Sequence, residues 1–137
     1  MKFVEEAKGR ENSRQASAIL LIDDDDVLRG LAAEFLSEAG YKVYEAPSAE
    51  EAFDLFSVNS QEIALVITDM GLPGMGGGEL LLKIREVKPE VKAVAISGFG
   101  GEDMLRQIRA SSAEMFIPKP FTREDLLKVV GSFLNLR

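Results

Sequence analysis

Ala18-Ile19-Leu20-Leu21-Ile22 is apolar at every position and runs without a break into Asp23-Asp24-Asp25-Asp26. A short run with no polar face to turn to water reads as a central strand covered on both sides, here with acids gathered at its carboxyl end. Downstream, Leu28, Leu31, Ala32, Phe35, Leu36 and Ala39 recur at helical spacing, and Gly40 suits a left-handed stop. Tyr41–Ala46 predicts a less apolar strand near an edge. Ser48 with Glu51 is a capping-box signature, opening a helix that turns Ala52, Leu55 and Phe56 inward. Ile63-Ala64-Leu65-Val66-Ile67-Thr68 is a second strand of the buried kind, and it too ends in acid, Asp69.

The pattern repeats to the end of the chain. A glycine-rich loop, Gly71–Gly78, precedes a helix carrying Leu80, Leu81, Ile84 and Val87, with Pro89 in the turn beyond. Val91–Ser97 predicts a fourth strand, Glu102–Arg109 a short helix, and Met115-Phe116-Ile117 a fifth strand. Thr122 and Asp125 open the last helix, whose Leu126, Val129, Val130, Phe133 and Leu134 form one stripe. Alternating strands and helices, with strands apolar on both faces, imply an α/β fold. Its core is a doubly wound, five-stranded parallel sheet with helices on both faces. Residues 1–17 hold seven charges of mixed sign and only Phe3 and Val4 as large apolar residues, the composition of a tail or linker. The single folded unit is expected over 18–137.

The chain has 137 residues, 46% hydrophobic and 28% charged, enough for one core and too apolar for intrinsic disorder. Sixteen basic against 23 acidic residues give a net charge of -7, which argues against direct contact with nucleic acid. No cysteine and no histidine occur, so disulfides, thiolate zinc sites, cysteine nucleophiles and histidine phosphoacceptors are excluded within the chain. No stretch approaches the roughly 20 apolar residues of a membrane span, and the N-terminus has no signal-peptide core. The expectation is a cytoplasmic protein without membrane insertion.

In a parallel sheet, ligands bind beyond the carboxyl ends of the strands. Those ends carry Asp23-Asp24-Asp25-Asp26, Asp69, Ser97 and Pro118-Lys119-Pro120. Taken singly, an Asp after a strand serves equally as a turn former or helix cap. Together, three carboxylates meeting in one crevice repel one another unless a cation intervenes, and all-oxygen ligands imply Mg²⁺ or a similar ion. A metal, a hydroxyl and an ammonium beside a carboxylate suit phosphoryl transfer to that carboxylate. Asp69 is the leading nucleophile because it stands alone at the end of a buried strand. Gly71, Gly74 and Gly76–Gly78 leave the next loop nearly free of bulk, as close backbone approach to metal and phosphate requires, though a flexible turn would use the same glycines.

Four stretches carry a resemblance: Leu20-Leu21-Ile22-Asp23-Asp24-Asp25, Thr68-Asp69-Met70-Gly71-Leu72-Pro73-Gly74-Met75-Gly76-Gly77, Ala95-Ile96-Ser97-Gly98 and Pro118-Lys119-Pro120-Phe121. In order and spacing they are similar to the signatures of the response-regulator receiver domain of two-component signalling. The resemblance implies a flavodoxin-like sheet of order 2-1-3-4-5. It further implies Asp69 as phosphoacceptor, with Mg²⁺ held by Asp24 directly, by Asp23 mainly through water, by Asp69 and by the Gly71 carbonyl. Ser97 and Lys119 would bind the phosphoryl group, Lys119-Pro120 would be cis, and Ser97 with Phe116 would form the switch. Gly71 and Phe99 would stand where side chains control hydrolysis. Gly76 departs from the acid or polar residue usual at its place. The partners implied are a histidine kinase or histidine phosphotransfer protein, and a downstream protein on the face of the fourth helix, fifth strand and fifth helix. The domain would catalyse only its own phosphorylation and slow dephosphorylation.

Two rival readings use the same residues. Asp23-Asp24-Asp25-Asp26-Val27 fits the Asp-x-Asp-x-Thr/Val motif of haloacid-dehalogenase-like Mg²⁺ phosphatases, with Asp23 as nucleophile, but that reading leaves Asp69 idle and puts Glu124-Asp125 at a helix start. A non-phosphorylated pseudo-receiver adaptor would be expected to lack a site residue, and none is missing. Whether the chain stands alone or belongs to a hybrid histidine kinase is open at this level.

Overall fold

A computed structural model of the protein describes residues 17–98, 106, 109 and 112–134. In chain order these form β1 (Ala18–Ile22), α1 (Asp26–Glu38), β2 (Val43–Ala46), α2 (Ala49–Asn59), β3 (Ile63–Asp69), α3 (Gly77–Val87), β4 (Lys92–Ser97), β5 (Met115–Pro118) and a C-terminal helix (Arg123–Phe133). The strands make one parallel sheet ordered β2-β1-β3-β4-β5. This is the flavodoxin-like order that the sequence resemblance implies. Register pairs Ile22 with Thr68, Asp69 with Ile96 and Ser97 with Pro118, which brings the carboxyl ends of β1, β3, β4 and β5 to a common edge.

Alternation along each strand sorts its side chains into two cores. Leu20, Ile22, Val66 and Ala93 face α2 and α3 and meet Ala52, Phe56, Leu80, Leu81 and Ile84. Ile19, Leu21, Leu65, Ile67, Val94, Ile96 and Ile117 face α1 and the C-terminal helix through Ala32, Ala33, Leu36, Leu126 and Val130. Covering both faces explains why β1 and β3 are apolar at nearly every position. The edge strand β2 needs less cover, and Val43, Tyr44 and Glu45 are partly or fully exposed.

Local chemistry fixes the helix ends. Asp25 caps α1 by accepting from the Val27 and Leu28 amides, and the helix stops at Gly40, whose φ of 103° is the left-handed conformation glycine adopts without penalty. Ser48 accepts from the Glu51 amide. Thr122 and Asp125 complete a reciprocal capping box. Lys88 Nζ donates to the Ser60 and Ile63 carbonyls, tying the end of α2 to the start of β3.

The structure departs from the sequence reading in several places, among them Val91, which precedes β4, and Pro118, which extends β5. Leu28 and Leu31 are exposed, and Ala33 joins Ala32 and Leu36 on the buried side of α1. Val87 is likewise exposed at the end of α3. Gly77 and Gly78 belong to α3 and not to the loop before it. Tyr41 and Lys42 precede β2. Leu55 is only partly buried against its core. Of the helix expected over Glu102–Arg109, Arg106 and Arg109 are helical, and the rest lies outside the described residues, as do Phe99 and most of the 1–17 tail.

Candidate functional site

The crevice follows from the winding. β1 and β3 are neighbours, yet α1 covers one face of the sheet and α3 the other, so the chain parts above their carboxyl ends. Asp23 is the first residue after β1, Asp69 the last of β3, Ser97 the last of β4 and Lys119 the first after β5. Asp23, Asp69 and Ser97 are buried, whereas Asp24 is exposed. Carboxylate oxygens of Asp23, Asp24 and Asp69 lie within 4.8 Å of one another. Lys119 Nζ stands 3.0 Å from Asp69 Oδ2 and 3.5 Å from Asp23 Oδ2. Its backbone N–H donates to the Ser97 carbonyl at 2.8 Å, and the Lys119-Pro120 bond is cis.

Burial pushes the Asp23 carboxyl above the usual carboxylate range; the Asp25 amide and the Lys119 ammonium pull it down, and the charge of Asp69 adds to the rise. For Lys119, burial favours the neutral amine, but the hydrogen bond to Asp69 and the charges of Asp69 and Asp23 outweigh it and leave the ammonium harder to deprotonate. One ammonium against three carboxylates leaves the site anionic. A donor set made only of carboxylates and backbone suits a hard divalent ion, so the residues present fit Mg²⁺.

The four consecutive acids divide their work. Asp23 Oδ1 accepts from the Asp25 amide, Asp25 caps α1, and Asp26 pairs with Arg29 at 2.9 Å. That leaves Asp23 and Asp24 facing Asp69. The sequence reading did not separate these roles, although Asp25 two residues ahead of an apolar helical stripe is a recognisable N-cap signal. It also missed Arg29, which donates to the Asp23 carbonyl at 2.7 Å.

Gly71 is tied to Asp69 by its N–H, which donates to Asp69 Oδ1 at 2.9 Å. Gly77 serves packing and does not spare room for a ligand, contrary to the expectation from its place in the glycine-rich stretch. A Cβ there would meet the Asp69 carbonyl oxygen at 2.8 Å, Met70 Sδ at 3.0 Å and Thr68 Oγ1 at 3.1 Å. Phe116 is partly buried, pairs in register with Ala95, and lines a cavity of about 270 Å³ with Asp125, Lys128 and Val129. A second cavity, about 340 Å³, lies beside Lys119 between Leu28, Leu31, Phe35 and Phe121.

Comparison with known proteins places the chain in a family. The response regulator receiver domain profile matches residues 19–131, and the chain belongs to that family. It is 32% identical over 134 residues to the sensor kinase CckA of Brucella abortus, a match covering 98% of this chain and 14% of that kinase's length. It is 28% identical to sporulation initiation phosphotransferase F of Bacillus subtilis, covering 87% of this chain and 94% of that protein. A crystal structure of the CheX-CheY-BeF3-Mg²⁺ complex from Borrelia burgdorferi contains a chain that is 26% identical and superposes with a TM-score of 0.76 over 84% of this chain and 87% of that one. The chain is therefore a receiver domain of two-component signalling, and it spans about one seventh of the length of the sensor kinases it matches. Receiver domains bind Mg²⁺ at an acidic cluster and interact with histidine kinases or phosphotransfer partners, and Asp23, Asp24 and Asp69 form such a cluster here. Among the described residues, no helix is long and apolar enough to cross a membrane.

Proposed function

We propose that Asp69 accepts a phosphoryl group from a histidine kinase or histidine phosphotransfer protein in the cytoplasm. The receiver unit spans 18–137 and residues 1–17 form a tail or linker. The carrying observation is the placement of Asp69 between an ammonium at 3.0 Å and the Asp23 and Asp24 carboxylates. An oxygen of Asp69 attacks phosphorus as the donor's bond to phosphorus breaks. Lys119 neutralises one phosphoryl oxygen, and the Ser97 hydroxyl hydrogen-bonds another. Asp23, Asp24, Asp69 and the Gly71 carbonyl would hold Mg²⁺, which supplies positive charge to the phosphoryl oxygens in flight. Lys119, held as an ammonium by its two acidic neighbours, needs no proton exchange to do its part.

Hydrolysis of the acyl phosphate is slow in this reading, because Gly71 offers no side chain and Phe99 no hydrogen-bonding group to align a water molecule. Incubation of the full chain with Mg²⁺ and acetyl phosphate is expected to place one acid-stable, hydroxylamine-labile phosphate on Asp69. It should then decay more slowly in the wild type than in Gly71→Asn/Phe99→Glu. Asp69→Asn is expected to abolish uptake. Uptake by Asp69→Asn together with loss in Asp23→Asn would instead support the phosphatase reading with Asp23 as nucleophile.

A further inference from the structure

Arg29, in the first turn of α1, joins its own helix to the end of β1 and to the edge strand β2. Nη1 donates to the Asp23 carbonyl at 2.7 Å, Nη2 lies 2.9 Å from Asp26 Oδ1, and Nε lies 3.3 Å from Glu45 Oε1 on the edge strand β2. Its side chain is only 15% exposed, so these bonds are partly shielded from water. We infer that Arg29 is a positioning residue for Mg²⁺ binding, fixing the main chain of Asp23 so that its carboxylate is presented to the ion in one orientation. This rests on reading Asp23, Asp24 and Asp69 as the ion's ligands.

The remaining bonds of Asp23 show why its carbonyl matters. Its N–H donates to the Ala46 carbonyl at 3.2 Å, and its Oδ1 accepts from the Asp25 amide at 3.0 Å. With Arg29 on the carbonyl, the backbone of Asp23 is held on both sides of its Cα. A metal ligand's orientation depends on such outer contacts, whose removal commonly costs metal sites 10- to 100-fold in affinity, roughly. The guanidinium suits the task because its nitrogens form a rigid planar fork. A lysine ammonium carries the same charge on a flexible stem and cannot span three acceptors in that geometry.

Charge and geometry make opposite demands here, which gives the inference a sign. A positive charge beside an anionic cluster repels a divalent ion, so if Arg29 acted by charge alone, Arg29→Ala would tighten Mg²⁺ binding and Arg29→Lys would leave it unchanged. If it acts by holding Asp23, both substitutions weaken binding.

The experiment is calorimetric titration of Mg²⁺ into the full chain for the wild type, Arg29→Lys and Arg29→Ala. Val130→Ala in the C-terminal helix serves as a purely destabilising control, and each variant is melted without metal to establish that it is folded. We expect both Arg29 variants to bind Mg²⁺ about tenfold more weakly. The Mg²⁺ concentration for half-maximal phosphorylation by acetyl phosphate should rise in parallel. Val130→Ala is expected to melt lower and bind Mg²⁺ as the wild type does. Wild-type affinity in Arg29→Lys, or tighter binding in Arg29→Ala, overturns the positioning role and leaves the metal site standing. Absence of Mg²⁺ binding to the wild type overturns the metal site itself and the inference with it. If Arg29→Ala does not fold, Arg29→Lys alone decides, since it keeps the charge and the aliphatic stem.

Discussion

Asp23 shows how one residue can be right for function and wrong for stability. Its carboxyl titrates above its ordinary value of about 4 because burial and the nearby Asp69 charge disfavour ionisation more than Asp25 and Lys119 favour it. A raised carboxyl value means that the folded state holds the proton more tightly than the unfolded chain. The contribution to stability is therefore present below about pH 4 and is lost as pH rises through the raised folded value. Without Mg²⁺, Asp23→Asn is expected to raise Tm at pH 7. At pH 3 the difference should vanish. Excess Mg²⁺ should reverse the order by stabilising the wild type more. A lower Tm for the variant at pH 7 without metal would contradict the assigned strain. Sequence alone placed Asp23, Asp69, Ser97 and Lys119 at strand ends, because buried strands declare themselves by composition and the residue after each is then easily found. It did not divide Asp23-Asp24-Asp25-Asp26, because identical side chains acquire different partners only once Arg29, Lys119 and the α1 amides are in place.

Among the elements, α3 begins where it does because Gly77 lets its first turn sit against the end of β3. A Cβ at 2.8 Å from the Asp69 carbonyl forces either the helix or β3 to move. Gly77→Ala is expected to cost about 1–3 kcal/mol, in the range of overpacking a filled site, and to slow phosphorylation by displacing Asp69. The same substitution at Gly30 in α1 or Gly131 in the C-terminal helix meets nothing within 4 Å. Both positions are expected to gain up to about 1 kcal/mol from helix propensity. Chemical denaturation of the three variants checks the contrast in sign, and a neutral or stabilising Gly77→Ala would show that the contact relaxes freely. Helical period alone was an incomplete guide at this scale. It found α1 but assigned Leu28 and Leu31 to the core, because spacing identifies a stripe without saying how much of it the sheet covers. In the fold, both leucines line the cavity beside Lys119, while small Ala32 and Ala33 let the helix approach β1.

For the molecule as a whole, the outstanding step is how a charge at Asp69 reaches a partner. The parallel sheet gives β4 and β5 a shared register in which Ala95 pairs with Phe116 and Ser97 with Pro118, so the hydroxyl and the aromatic ring belong to neighbouring strands two residues apart. A phosphoryl group adds about two negative charges and new acceptor oxygens at the mouth of the crevice. Drawing the Ser97 hydroxyl toward those oxygens frees volume along β4. Phe116 is the adjacent side chain able to use it, since it is partly buried and borders open space near Lys128 and Val129. Inward rotation of the ring would then change the surface formed by β5 and the C-terminal helix, part of the face that the family resemblance implies for a downstream partner. Phosphorylation is expected to shift amide resonances or slow hydrogen exchange in β5 and the C-terminal helix as well as around Asp69. Phe116→Ala should remove the distant response while leaving phosphate uptake within about twofold of wild type. Ser97→Ala should blunt both, because it removes the hydrogen bond to phosphate and the first movement of the relay. If the wild type responds only at Asp23, Asp69, Ser97 and Lys119, Phe116 is ordinary packing and the signal leaves by another surface. The apolar rim of Leu28, Leu31 and Phe121 would then be the next to probe, because it adjoins Lys119 directly.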